Sequence, residues 1–364
     1  MNYKNTLIAV LLLASLLFSL FTISVASSEK ISLSARSAAL YEPSTDTFLI
    51  EKNSKIRLPM ASTTKIMTAV VALENANLTD TVTVDERSAG IEGSSAYLSV
   101  GDEYTLHDML YALMLASAND AATAIACSVS GSVDSFVELM NKKCEALSLV
   151  DTHFENPSGL DANEHYTTAS DLAKLTAYAL KNDTFRQLCS TYKKSIYYND
   201  KVRNFVNHNK LLKQYPDAIG VKTGFTKKSG RCLVSAAERN GVTLIGVTLD
   251  APNDWQDHKK MLDYGFDTLE ERLLAAPNEF RFEIPLLFSD DKSIIAQNTD
   301  EYKLILPKTS KITNEVLLPP YLVKPIKQGE ILGKIIFRAD GKIIGDLDLV
   351  AQKNVELDKK HIFH

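Results

Sequence analysis

The spacing of apolar positions changes along this chain, and each change marks an element. Residues 34–41 and 47–51 are short apolar and β-branched runs separated by Glu42-Pro43-Ser44-Thr45-Asp46. A polar turn between two such runs predicts a hairpin. Beyond Pro59, the positions Ile66, Val70 and Leu73 recur at helical spacing, predicting a helix over 61–73. Helical patterns also cover 105–117, 121–129, 132–147 and 169–180, with Asn119-Asp120 expected as a break and N-cap between the first two. From residue 218 the period falls to two. Segments 218–226, 231–238 and 242–249 are β-rich, and Asn240-Gly241 is a strong hairpin signal between the last two. A helical pattern over 254–267 follows. This order predicts an α+β fold, an antiparallel sheet flanked by helices, in which the N-terminal hairpin joins the later strands.

After Ala275-Ala276-Pro277 the pattern shifts to short strands punctuated by Pro307, Pro319-Pro320, Gly329 and Asp340-Gly341. A small all-β C-terminal domain is expected, with 331–337 and 342–350 as its last hairpin. At the other end, Lys4 precedes an apolar run over 7–23, and Ser24-Val25-Ala26 supplies small residues. That reads as a secretory signal cut near Ser27. A retained membrane helix is the alternative, since a span needs about 20 apolar residues. Either way the remainder lies outside the cytoplasm. The expected division is 1–26 signal peptide, 27–275 catalytic domain and 276–364 β domain.

The 364 residues suffice for two domains. A net charge of −5 with interspersed signs argues against a nucleic-acid partner, which needs a clustered basic face. Cys127, Cys144, Cys189 and Cys232 form no close-spaced pair, and the seven histidines are scattered without a His-Glu-x-x-His. No metal site or cofactor is expected.

Three short motifs carry the chemistry. Ser62 and Lys65 stand three apart at a predicted helix start, so they share a face within hydrogen-bond reach, in a turn that favours developing negative charge. Ser27/Lys30, Ser190/Lys193 and Ser289/Lys292 repeat that spacing, but only Ser62 opens an amphipathic helix upstream of the other two motifs. Ser117-Ala118-Asn119 lies between two helices, where a serine can relay a proton and an asparagine can accept from a lysine while donating to a substrate carbonyl. Taken alone, that tripeptide reads better as a helix cap. Lys222-Thr223-Gly224 falls in a predicted strand, where Gly224 would let a substrate backbone lie alongside. Lys228-Ser229-Gly230, a rival copy, belongs to the following turn. A serine is inert until a base, a proton shuttle and an anion clamp surround it, and the ordered set supplies all three.

Together these motifs resemble the serine penicillin-recognising enzymes. Ser-Ala-Asn in the middle motif narrows the resemblance to the low-molecular-weight D-alanyl-D-alanine carboxypeptidases. Leu58–Lys65, His153–Leu160, Lys222-Thr223-Gly224-Phe225-Thr226 and the tail over 325–349 resemble blocks of that family. The resemblance implies a peptidoglycan stem peptide ending in D-Ala-D-Ala as substrate, with β-lactam antibiotics as acylating mimics. It implies Ser62 as nucleophile, Lys65 as base and Ser117 as proton relay to the leaving amine. Asn119 would hold Lys65 and the substrate amide. Lys222 and Thr223 would bind the terminal carboxylate, and the N–H groups of Ser62 and Phe225 would meet the oxyanion.

Two features depart from the family pattern. Some relatives carry an arginine near the position of His208, credited with helping to hold the substrate carboxylate. Many end in an amphipathic membrane helix, whereas here the eight residues from Leu357 to His364 are too short for one, so a C-terminal membrane anchor is not evident. Two alternatives stay open: a serine β-lactamase, for which no Glu-x-x-x-Asn deacylation base is found between Asn119 and Lys222, and a non-catalytic penicillin- or muropeptide-sensing module.

Overall fold

A computed structural model describes residues 31–198 and 201–356. The apolar run over 7–23, its expected cleavage site and the last eight residues of the chain lie outside them.

A five-stranded antiparallel sheet organises the first part of the fold. Strands β1 (Ser37–Glu42) and β2 (Thr47–Lys52) form the expected hairpin, and β7 (Ala218–Thr226), β8 (Gly230–Arg239) and β9 (Val242–Leu249) form the expected meander. The strand order is β2-β1-β9-β8-β7, because β1 pairs with β9 in the register Ser37↔Leu249 to Tyr41↔Ile245. The hairpin therefore joins the later strands, and β7 becomes a sheet edge. All six residues of β1 and most of β8 and β9 are buried, as expected of strands covered on both faces.

Helices α1 (Lys65–Asn75), α2 (Leu106–Leu115), α3 (Asn119–Ser130), α4 (Val133–Ala146) and α5 (Ala169–Ala179) pack together, and their apolar residues share one core with the sheet. Helix α3 is buried from Asn119 through Cys127, apolar nearly all round, as befits a helix enclosed by others. Thr105, Ser132 and Thr168 cap α2, α4 and α5, each accepting the backbone N–H three residues on. Helix α6 (Asp183–Ser190), the short α7 (Leu211–Gln214) and α8 (Asp254–Thr268) complete the layer. Two small antiparallel pairs were not expected: β3 (Thr81–Thr83) with β4 (Glu103–Thr105), and the hairpin of β5 (Lys193–Tyr198) with β6 (Lys201–Val206).

The remaining strands are β10 (Leu269–Ala275), β11 (Arg281–Pro285), β12 (Ser293–Gln297), β13 (Tyr302–Pro307), β14 (Ile312–Leu317), β15 (Ile331–Ala339) and β16 (Lys342–Ala351). They form a sheet ordered β11-β12-β16-β15-β14 and a separate β10–β13 pair. Ile284, Ile294, Leu332, Ile335, Phe337 and Leu349 belong to a second, separate core. The all-β C-terminal domain is therefore present, with its last hairpin where expected. Strand β10, which precedes the composition shift at 275–277, pairs with β13 beyond it.

Among the described residues no helix is long and apolar enough to cross a membrane, and no cluster of histidine, cysteine or acidic residues could hold a metal ion. All four cysteines are free and buried.

Candidate active site

The candidate nucleophile stands on a 3-10 turn, Ala61–Thr64, that runs directly into α1. Local polar side chains favour this tight geometry: Thr63 Oγ1 donates to Met60 O at 2.7 Å and Thr64 Oγ1 to Ala61 O at 2.8 Å. In a 3-10 turn residues three apart eclipse one another. Ser62 and Lys65 are so placed, with Lys65 Nζ 3.0 Å from Ser62 Oγ. Ala61 holds a left-handed φ of 46°, a conformation that costs a non-glycine residue roughly 1–2 kcal/mol. The surroundings hold it there: a Cβ on Gly159 would sit 2.0 Å from Ala61 O, so only glycine lets the His153–Leu160 block press against the turn.

Lys65 is fully buried, and its Nζ has three neighbours: Ser62 Oγ, Asn119 Oδ1 at 2.7 Å and the carbonyl oxygen of Ser158 at 2.5 Å. Burial strips water from the ammonium and Lys222 adds like charge; these push the Lys65 pKa well below the usual lysine value, with Asp120 pulling weakly the other way. A neutral amine has two N–H donors and one lone pair. Asn119 Oδ1 and Ser158 O can only accept, so they take the two N–H groups, and the lone pair is left facing the Ser62 hydroxyl. That is the arrangement of a base with its substrate proton.

Ser117 lies in the three-residue link between α2 and α3, at a φ of 59°. This left-handed residue turns the chain so that Asn119 becomes the first residue of α3. The N-cap expected of Asn119-Asp120 is not formed: Ala118 occupies that position without a side-chain cap. The Asn119 side chain is drawn away by Lys65, and its Nδ2 donates to Glu92 O at 2.6 Å. One of its two amide N–H groups is thus already used, and one remains for a substrate. Asp120, fully buried, accepts from Ser95 Oγ, Ala96 N and Leu98 N at 2.6–3.0 Å, which ties the 95–98 segment to the start of α3. Neither the Asp120 anchor nor the Ser158 carbonyl was expected. An aspartate in an otherwise apolar helix was the available signal for the first; a backbone oxygen leaves no mark in a sequence.

Lys222 is also buried, on the edge strand β7, with Nζ 2.9 Å from Ser117 Oγ and 2.9 Å from Thr223 O. Burial pushes its pKa down to about 7, a trend opposed by the neighbouring Cys189. Gly224 lines the cleft and has a second use that was not expected. A Cβ there would lie 3.0 Å from Ser62 N and 3.1 Å from Met60 O, so glycine also lets β7 lie against the nucleophile turn. The N–H of Ser62, near the start of its turn, has no partner inside that turn. Phe225, next along β7, is 66% exposed at the sheet edge.

A cleft of about 330 Å³ runs past this set, lined by Ser62, Ser117, Thr223, Gly224 and Phe225 and by His208, Arg231 and Trp255. Desolvation and the Lys222 cation lower the pKa of His208. Ser62, Lys65, Ser117, Asn119, Lys222, Thr223, Gly224 and Phe225 are therefore brought together. Their bonds form two relays, Ser62–Lys65–Asn119 and Ser117–Lys222. The competing copies fall elsewhere: Ser190 and Lys193 belong to α6 and β5, and Lys228-Ser229-Gly230 makes the β7–β8 turn.

Fold and site define a serine enzyme of the penicillin-recognising class. Residues 23–253 match the D-alanyl-D-alanine carboxypeptidase family, and residues 273–357 match the C-terminal domain of penicillin-binding protein 5. The chain is 32% identical over 334 residues to D-alanyl-D-alanine carboxypeptidase DacF of Bacillus subtilis (strain 168), covering 88% of this chain and 86% of that protein. Among solved structures, penicillin binding protein 5 from Haemophilus influenzae superposes with a TM-score of 0.69 at 27% identity, covering 89% of this chain and 98% of the other. The Streptomyces K15 DD-transpeptidase gives 0.63 at 36% identity, covering 66% and 99%. The chain belongs to the D-alanyl-D-alanine carboxypeptidase family.

Proposed function

We propose that this protein is a serine-type D-Ala-D-Ala carboxypeptidase, which removes the terminal D-alanine from peptidoglycan stem pentapeptides through an acyl-enzyme on Ser62. The observation that carries this reading is the fully buried Lys65, with its lone pair directed at the Ser62 hydroxyl 3.0 Å away. Neutral Lys65 takes the Ser62 proton as Oγ attacks the carbonyl of the penultimate D-alanine. The N–H groups of Ser62 and Phe225 meet the oxyanion, a preorganised pair worth roughly 3 kcal/mol per donor. Ser117, held by Lys222, passes a proton to the leaving nitrogen as the C–N bond breaks and free D-alanine departs, and the proton that Lys65 took from Ser62 refills Ser117, so that Lys65 is neutral again. Water, deprotonated in turn by Lys65, then hydrolyses the ester and restores the serine. Lys222 and Thr223 bind the terminal carboxylate, and Asn119 orients Lys65 and the substrate amide.

A β-lactam enters by the same attack but leaves no departing group, so its ester persists. The signal-like N-terminus and the substrate both support work outside the cytoplasm, at the cell wall or the outer face of the membrane. The division 1–26, 27–275 and 276–364 remains part of this proposal. The deciding experiment is release of free D-alanine from a pentapeptide ending in D-Ala-D-Ala. Release that disappears in Ser62→Ala supports the reading. A Ser62 that is labelled by penicillin while no D-alanine appears makes the protein a sensor, and rapid turnover of the drug makes it a β-lactamase.

A further inference from the structure

We infer that His165 is a positioning residue for the nucleophile, tying the turn that carries Ser62 to the His153–Leu160 block that gives Lys65 its carbonyl partner. This rests on the acylation chemistry proposed above. His165 is buried and does not line the cleft, so it acts through its neighbours. Its ring nitrogens have different partners. Nδ1 lies 3.0 Å from the backbone N of Glu155, and Nε2 lies 2.7 Å from Thr64 Oγ1. The Glu155 N–H can only donate, so Nδ1 accepts. The single proton of the Thr64 hydroxyl goes to Ala61 O at 2.8 Å, so Thr64 Oγ1 accepts from Nε2–H. One form of the ring satisfies all three bonds, the neutral tautomer with its proton on Nε2.

The chain of bonds from Glu155 N–H through His165 and Thr64 ends on the carbonyl of Ala61, the left-handed residue just before Ser62. It begins in the block whose Ser158 O accepts from Lys65 Nζ and whose Pro157 O accepts from Thr68 Oγ1 on α1. His165 therefore joins the two structures that flank the Lys65 amine. The ring of Phe154, from the same block, meets His165 edge-on with centroids 5.7 Å apart, which limits how far the imidazole can tilt. A misplacement of about 1 Å caused far from the chemistry can cost about 10²-fold in rate, so a remote tie of this kind has a kinetic consequence.

Benzylpenicillin tests the tie through Ser62 labelling, a step that a peptidase, a sensor and a β-lactamase share. The result therefore stands even if the unaltered protein releases no D-alanine. Stopped-flow labelling separates the maximal acylation rate from the half-saturating drug concentration. His165→Phe, which fills the space without either bond, should lower the maximal rate about 10- to 100-fold. The half-saturating concentration should move less than about threefold, because no cleft residue is removed. His165→Gln, which keeps a donor for Thr64, should recover part of the rate. Thr64→Val should lose a similar factor, and the double variant no more than either alone, since both cut one chain. An unchanged maximal rate in His165→Phe, a loss confined to the half-saturating concentration, or losses that multiply in the double variant would each overturn the inference. Nitrogen-15 NMR of the imidazole rings in the unaltered protein does not depend on how His165→Phe folds. With His165 assigned by its loss in His165→Gln, a proton on Nε2 alone is expected, and a proton on Nδ1 would also overturn the inference.

Discussion

The two halves of this molecule differ in whether they bury lysine. In the C-terminal β domain, Lys324, Lys334 and Lys353 pair with Glu330, Asp346 and Asp291, each partly open to water. None of the described lysines there is buried. In the catalytic domain Lys65 and Lys222 are buried, and neither makes an ion pair with a carboxylate among the described residues. Burying an ammonium without a counter-ion is costly, so a fold keeps two such groups only where their altered proton affinity is used. A solvated pair fixes little, while an unpaired buried amine is a reactive group.

The largest effects should follow from breaking the buried side of that contrast. Ser62→Ala should abolish acylation, and Lys65→Arg should cost on the order of 10⁴-fold, since arginine stays protonated and cannot take the serine proton. Stopped-flow labelling with a fluorescent penicillin measures both; a Lys65→Arg protein that acylates at normal speed would remove the base assignment. Ser117→Ala should cost about 10²- to 10³-fold in D-alanine release, because the leaving nitrogen loses its proton donor.

A second effect concerns stability in acid. His258 is buried between Ser235 Oγ and Thr248 Oγ1, and burial pushes its pKa from 6.5 to about 3. Burial likewise pushes His165 down to about 4. Both are neutral in the fold and take up protons on unfolding, so their contribution is fully present above pH 6.5. It is lost as pH falls from 6.5 toward 3, amounting to several kcal/mol in all. Urea titrations at pH 7 and pH 4.5 measure this; equal midpoints would contradict it.

Lys222 gives a smaller effect of its own. Its pKa near 7 makes it cationic below that pH and neutral above it, so the free-acid peptide should lose affinity as pH rises. KM should climb up to tenfold per pH unit above the pKa, while Lys222→Arg should flatten that limb. For stability the sign is the reverse. Between about 7 and 10.5 the unfolded chain binds the extra proton, so alkaline pH favours the fold through this group. The smallest effect belongs to the C-terminal domain: Lys334→Ala removes an exposed ion pair and should leave melting temperature and activity unmoved.

Much of this was legible from sequence because strand period and motif spacing are local. The segment 218–249 shows its meander through alternation and Asn240-Gly241, and the Ser62–Lys65 spacing makes a contact through the turn alone. Other features were hidden for physical reasons. Helix α6 buries Phe185, Leu188 and Cys189 at helical spacing, but its eight residues fall short of the window over which such a pattern is read. The β5–β6 hairpin buries only Ile196 and Phe205 among its described side chains. Asn119 looked like a cap because asparagine favours caps in isolation, yet a buried amine 54 residues away holds its side chain instead.

The central claim is that Lys65 stands deprotonated beside Ser62. NMR of protein labelled at lysine Cε, with Lys65 assigned by its loss in Lys65→Arg, follows that amine directly through a pH titration. A resonance already at the neutral-amine position near pH 8 is the predicted result. A Lys65 signal that moves only around pH 10, as an ordinary surface lysine does, would contradict the account.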